Sequence, residues 1–235
     1  MSSKLQGERS TGVYAWLSQP WIYDAWQTLV RSYASRAAFF QRHIRPIPGM
    51  RVLDVGCGTG DALKHLGNVN YLGLDRNEAY IKAAQKRFNR PDCFLHGDVS
   101  TISERDLGEF DVVFCLGVLH HLNDATAVCL LREIQGILAP GGRFVSHDPV
   151  LVEGQSKIAR WFVSHDRGQF VRTHSEIEAL AKTCFPTVYS VIDSQSLRIP
   201  FTEVILECGG LPGNGDRQST PDPNSLPEFS RACSL

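Results

Sequence analysis

The chain has 235 residues, 43% of them hydrophobic, with 24 Lys+Arg against 25 Asp+Glu, which suits one well-buried domain. A formal net charge of -1 and a pI of about 6.7 offer no basic field to a nucleic-acid backbone, and no local Lys/Arg cluster supplies one, so nucleic acid is not an expected partner. No apolar run reaches the roughly 18 residues of a membrane span and no leader pattern stands at the N-terminus, so a cytoplasmic protein is expected.

Residues 1–10 are polar. From Trp21 to Ile44, the apolar residues Ile22, Trp26, Leu29, Tyr33, Ala37, Phe40 and Ile44 recur at intervals of three and four, predicting a helix that Pro46 and Pro48-Gly49 end. Strand and helix signals then alternate: strand 51–55, a helix from about 60 to 66, strand 70–75, helix 77–88 and strand 92–96. Strand 110–116, helix 124–137, a turn at Pro140-Gly141-Gly142 and strand 143–148 follow. Such alternation implies a parallel sheet covered by helices on both faces. A helix over 174–183 leads to two β-rich segments, 187–193 and 201–207. From Gly209 the last 27 residues hold four glycines and four prolines and few apolar residues, which predicts a disordered tail. Seven scattered cysteines (57, 93, 115, 129, 184, 208, 233), without C-x-x-C spacing, read as reduced thiols rather than a disulfide framework or a zinc site.

The run Val52-Leu53-Asp54-Val55-Gly56-Cys57-Gly58-Thr59-Gly60 carries the chemistry. It reads as a buried strand breaking into a glycine turn and opening a helix, where glycines permit positive φ and a close ligand approach. Dinucleotide sites use G-x-G-x-x-G and seat a pyrophosphate at the helix N-terminus. Here the spacing is G-x-G-x-G, and Asp54 just ahead would repel a pyrophosphate but suit a cationic ligand. Asp75, closing the next strand about 20 residues on, is placed to take both ribose hydroxyls.

These residues resemble the first motif of the class I S-adenosylmethionine (SAM)-dependent methyltransferases, an acidic residue followed by G-x-G-x-G. The resemblance runs from about Arg51 to Asp148 and includes Leu138-Ala139-Pro140-Gly141-Gly142, a phrase shared with small-molecule methyltransferases of the ubiquinone and menaquinone type. It implies a Rossmann-like α/β fold with a doubly wound sheet of about seven strands, mostly parallel, ending in an antiparallel hairpin. It implies SAM as cosubstrate, with Asp54, Gly56, Gly58 and Gly60 around the methionine end and Asp75 on the ribose. Asp98 falls where the family binds the adenine amine, the next backbone N–H (Val99) would meet an adenine nitrogen, and the Leu116 carbonyl lies where the ammonium is received. Taken singly, Asp75 and Asp98 are also ordinary turn or cap residues; together, at these intervals, they favour the cofactor reading. The organisation implied is an N-terminal segment with a helical lid (1–48), a SAM-binding domain (49–208) and a disordered tail (209–235). Trp16, Trp21 and Trp26 belong to that lid or to its packing stripe.

The acceptor side rests on the segment after the fourth strand, Gly117-Val118-Leu119-His120-His121-Leu122. Plant phenol O-methyltransferases carry a catalytic histidine in a similar leucine-histidine context, so the resemblance makes His120 the candidate general base; the alternative is a histidine that only shapes the pocket. His121 is its neighbour, and His147 and Asp148 end the adjacent strand, so these residues are expected to share an acceptor pocket. Arg172 is placed to hold an acceptor carboxylate or phosphate, or else to form a salt bridge with a nearby acid. No ligand spacing is distinctive of a metal, and none is expected. The absence of Asn/Asp-Pro-Pro-Tyr/Phe after the fourth strand disfavours adenine-N6 and glutamine acceptors. The expected function is methyl transfer from SAM to a small-molecule or glycan-like acceptor, at oxygen, with carbon and nitrogen open. The rivals are a non-catalytic SAM-binding module or partner subunit, and an NAD-dependent oxidoreductase; oligomeric state is not legible.

Overall fold

A computed structural model describes residues 33–98, 102, 105–164, 168–194 and 200–209. The expected helix before Tyr33, with Trp16, Trp21 and Trp26, the Val99 amide and the tail from residue 210 lie outside the described residues.

The strands are β1 (Arg51–Val55), β2 (Asn70–Asp75), β3 (Phe94–His96), β4 (Phe110–Leu116), β5 (Leu138–Leu151), the short β6 (Arg172–Thr173), β7 (Val188–Asp193) and β8 (Glu203–Gly209). They form one sheet in the order β3-β2-β1-β4-β5-β8-β7, with β6 beside the end of β5. All pairings are parallel except those of β8, which runs antiparallel to both β5 and β7. The order reverses between β1 and β4, where an open α/β sheet leaves a crevice for a ligand. The expected parallel sheet and C-terminal hairpin are therefore present, with β6 as an eighth, two-residue strand.

Alternate residues of the central strands enter two cores, as a sheet covered on both faces requires. Leu53, Val55, Val113, Phe144 and Leu206 face α3 (Asp124–Gly136) and α5 (His174–Lys182), which contribute Leu130, Leu131, Ile134, Ile177 and Leu180. Val52, Phe114, Val145 and Ile205 face α1 (Tyr33–Phe39), the π-turn Phe40–Ile44 and α2 (Glu78–Phe88). Each fully buried Phe or Leu contributes about 1.5–3 kcal/mol. Local chemistry sets the helix starts: Asn77 accepts from the Ala79 and Tyr80 amides, Asn123 from Thr126, and Thr173 forms a capping box with Glu176. The π-turn is tied to β8, since Glu207 meets His43 Nδ1 at 2.8 Å and Arg45 Nη2 at 2.5 Å.

Several expectations change. The helix expected over 60–66 is a five-residue 3₁₀ turn, Asp61–His65, because Gly60 and Gly67 both take positive φ and leave too short a span for an α-helix to propagate. Strand 92–96 begins with a 3₁₀ turn at Pro91–Cys93. The Pro140-Gly141-Gly142 turn lies inside β5: Phe110 pairs with Leu138 and Val112 with Arg143, so residues 139–142 bulge from the ladder. The helix α4 (Lys157–Ser164) and β6 escaped the sequence reading. Among the described residues, cysteines 57, 115, 129, 184 and 208 are free thiols.

Candidate active site

The glycine turn is bound to the end of β2, because the Gly56 and Cys57 amides both donate to the Leu74 carbonyl, at 2.7 and 3.1 Å. Gly56, Gly58 and Gly60 take φ of +75°, +55° and +77°, and a Cβ on Gly56 would stand 2.6 Å from Val118 Cγ2. A side chain here would therefore strain the backbone and collide with Val118. Asp75 holds the turn from the other side: its Oδ2 accepts from the Gly58 amide at 2.8 Å and its Oδ1 from the Asn77 amide at 2.7 Å.

Asp54 is buried, and the Tyr71 hydroxyl donates to its Oδ2 at 2.9 Å. Burial pushes its carboxyl up to about 7, against the Tyr71 hydrogen bond; the charge of Asp75 adds to the rise and that of Arg36 opposes it. Burial and Asp54 together hold the Tyr71 phenol well above its usual value, so it remains a donor. A cation brought into this cradle would restore the charge on Asp54. The Gly97 amide donates to the Asp75 carbonyl at 3.0 Å, joining the exits of β2 and β3, and half-buried Asp98 follows directly. Leu116 ends β4, and the next amide, Gly117, donates to the His147 carbonyl at 2.8 Å. Asp54, Asp75, Asp98 and Leu116 thus stand at the carboxyl ends of four strands that are neighbours in the sheet.

On the acceptor side, the structure brings His120 and Asp148 together. His120 Nδ1 is 2.9 Å from Asp148 Oδ1, and the His120 amide reaches the same oxygen at 3.3 Å. Asp148 is fully buried, and no hydrogen-bond donor among the described residues reaches its Oδ2. A carboxylate at this distance requires the proton on Nδ1 and leaves the lone pair on Nε2, the tautomer a general base needs. His121 lies against the His120 ring, with centroids 4.0 Å apart. Gly168 and Phe170 cover His120: the Phe170 amide donates to its carbonyl at 3.0 Å, and a Cβ on Gly168 would lie 2.0 Å from its Cδ2.

His147 does not join this group. The pleat turns consecutive residues to opposite faces, so His147 points to the core containing Phe39, stacks on that ring at 4.9 Å, and places Nε2 3.2 Å from Glu203 Oε2. Arg172 meets an acid of its own chain. Its Nε and Nη2 donate to Asp124 Oδ1, and its Nη1 and Nη2 to the carbonyls of Leu119 and Leu122, at 2.7–2.9 Å. All three guanidinium nitrogens therefore clamp the loop that carries His120, and the salt-bridge reading of Arg172 replaces the anion-binding one. Tyr71, Gly168 and Glu203 escaped the sequence reading, because each acquires its role across strands with no local motif. Among the described residues, no group of three or more His, Cys, Asp or Glu side chains is arranged to hold a metal ion.

A Rossmann-like sheet with a carboxylate-flanked glycine turn at its switch point defines a domain for a cationic nucleoside ligand. Residues 53–146 match the methyltransferase domain family, which implies SAM as cosubstrate. The ubiquinone biosynthesis O-methyltransferase of Maricaulis maris is 33% identical over 107 residues, covering 43% of this chain and 41% of that protein. The tRNA U34 carboxymethyltransferase of Pseudoalteromonas translucida is 33% identical over 118 residues, covering 48% and 35%. Such curated relatives are spanned only in part, between 21% and 58% of their length. The phosphoethanolamine N-methyltransferase 2 of Haemonchus contortus, solved with SAM, superposes with a TM-score of 0.66 at 14% identity, covering 89% of this chain and 60% of that one. At that identity the likeness speaks for the fold.

Proposed function

We propose that the protein transfers the methyl group of SAM to a hydroxyl of a small-molecule or glycan-like acceptor, with His120 as general base. The observation that carries this reading is the His120–Asp148 pair, buried at the carboxyl end of the strands and 2.9 Å apart. SAM supplies an electrophilic methyl on a sulfonium. The chain's own residues would do the rest. Asp54, the glycine turn, Asp75, Asp98 and the Leu116 carbonyl would orient the donor, with the Val99 amide as a further contact to adenine. Holding donor and acceptor in line is worth on the order of 7–11 kcal/mol of such a barrier. His120 Nε2 would take the proton that the acceptor hydroxyl loses as its oxygen attacks, and buried Asp148 would stabilise the imidazolium so formed. His121 would contact the acceptor beside it.

The fit to SAM rests on two features of the cradle: a turn of three glycines at positive φ, and a buried acid whose charge a cation would restore. Net charge of -1 favours a small acceptor over nucleic acid, and the ubiquinone-type relative acts in the same direction by its name. Among the described residues, no helix is long and apolar enough to cross a membrane.

The test is calorimetric titration with S-adenosylhomocysteine and with NADH, followed by release of S-adenosylhomocysteine from SAM across a panel of phenols, sugars and amines. Binding of the homologue and turnover on hydroxyl acceptors is expected. Binding of NADH alone would indicate an oxidoreductase, and tight homologue binding without transfer to any acceptor would indicate a non-catalytic module.

A further inference from the structure

We infer that α4 is a surface-docking helix through which the protein associates with an anionic lipid bilayer. The helix Lys157–Ser164 reads Lys-Ile-Ala-Arg-Trp-Phe-Val-Ser, with no acidic residue. Ala159 and Val163, one turn apart, are buried and seat it on the body of the protein. The opposite arc carries Ile158, 61% exposed, and Trp161, 55% exposed. Of the five large hydrophobic side chains exposed among the described residues, two therefore stand on this eight-residue helix.

The helix needs no lipid to form. Ser156 caps it, with Oγ accepting from the Ala159 amide at 3.1 Å and its carbonyl from the Arg160 amide at 2.9 Å. The Trp161 ring meets the edge of Phe162 with centroids 5.1 Å apart. Lys157 and Arg160 are exposed beside the indole, while Glu153 is the nearest exposed acid preceding the helix.

An indole and an aliphatic side chain at the crest, with two cations able to reach past them, match the boundary between acyl chains and anionic headgroups. Two large apolar side chains flanked by two cations suit a lipid surface with anionic headgroups. The position adds weight. Ser164, the last residue of α4, lines an open pocket of about 420 Å³ with Leu151, Gly168, Gln169 and Val171, and Gly168 lies against His120. A bilayer at α4 would therefore lie beside the segment that covers His120, the proposed base; that consequence rests on the proposed function, whereas the docking does not.

Flotation of the full chain with vesicles tests the inference without any methyl acceptor. The protein is expected to float with vesicles containing phosphatidylglycerol and to stay behind with pure phosphatidylcholine. Ile158→Ala/Trp161→Ala should weaken flotation about tenfold or more, and Lys157→Gln/Arg160→Gln about fivefold for each cation removed. S-Adenosylhomocysteine affinity should be unchanged in both variants, which reports that they are folded. Undiminished flotation of either folded variant overturns the proposal, as does equal binding to both vesicle types. So does a concentration-dependent dimer that Trp161→Ala abolishes, which would assign the crest to a second copy. Protection of Trp161 from iodide quenching without vesicles would assign it to cover by the chain's own first 32 residues.

Discussion

The imidazole of His120 and the carboxylate of Asp148 meet at 2.9 Å although 28 positions separate them, because β4 and β5 are parallel neighbours whose carboxyl ends bring the two residues together. In the proposed mechanism Asp148 holds the His120 tautomer. His120→Ala is expected to lower turnover by about 10²–10⁴-fold, the usual contribution of a general base, with S-adenosylhomocysteine affinity kept. Asp148→Asn should lose a comparable factor, since an amide can present its NH₂ to Nδ1 and favour the wrong tautomer. A rate for His120→Ala equal to wild type across pH 6–9, measured with the best acceptor of the panel, would remove the histidine from the mechanism.

The proposed contact of Asp54 with the donor should make donor binding depend on pH. Its carboxyl is pushed up to about 7 by burial, above the value of about 3.9 expected in the unfolded chain. A raised folded value means the free protein binds the proton more tightly, so the stability it contributes is complete below about pH 4 and is lost as pH rises through about 7. SAM, which favours the ionised form, should bind more tightly as pH rises and level off above about 7. S-Adenosylhomocysteine, without the sulfonium charge, should show a shallower slope. Calorimetry from pH 5.5 to 8.5 on wild type and Asp54→Asn measures both; equal, flat profiles for the wild type would refute this coupling.

Gly168→Ala should displace the strap over His120. The added Cβ would stand 2.0 Å from His120 Cδ2 and 2.6 Å from its carbonyl oxygen, so backbone as well as side chain must shift. A destabilisation of about 1–3 kcal/mol is expected, read as a lower midpoint in urea or heat. An unchanged midpoint would mean that the strap does not pack on His120 in solution.

Arg172→Met removes the donors from the Leu119 and Leu122 carbonyls. Each buried carbonyl left unpaired costs about 1–3 kcal/mol, whereas the Asp124 contact contributes less because that side chain is 84% exposed and screened. Chemical denaturation should show the loss, and Arg172→Lys should recover only part of it, since one ammonium cannot span the same acceptors. Full stability in Arg172→Met would show the loop to be held by other contacts.

What the sequence by itself determined is what local backbone chemistry encodes. The glycines of 56–60 predict positive φ, the alternation of apolar runs predicts parallel strands, and the intervals to Asp75, Asp98 and Leu116 follow once each strand must end on the same side of the sheet. Local pattern was weakest where elements are short: the 3₁₀ turn after Gly60 and the two-residue β6 carry too few residues for a period to show. Only the tertiary structure decided the partnerships. Asp148 turns to His120 while adjacent His147 turns to Phe39 and Glu203, a choice made by strand register and pleat rather than by residue type. Arg172 finds its acceptors 48 to 53 positions away, and Asp54 owes its raised value to burial. Such contacts depend on which faces a closed sheet brings together, and no spacing along the chain encodes them.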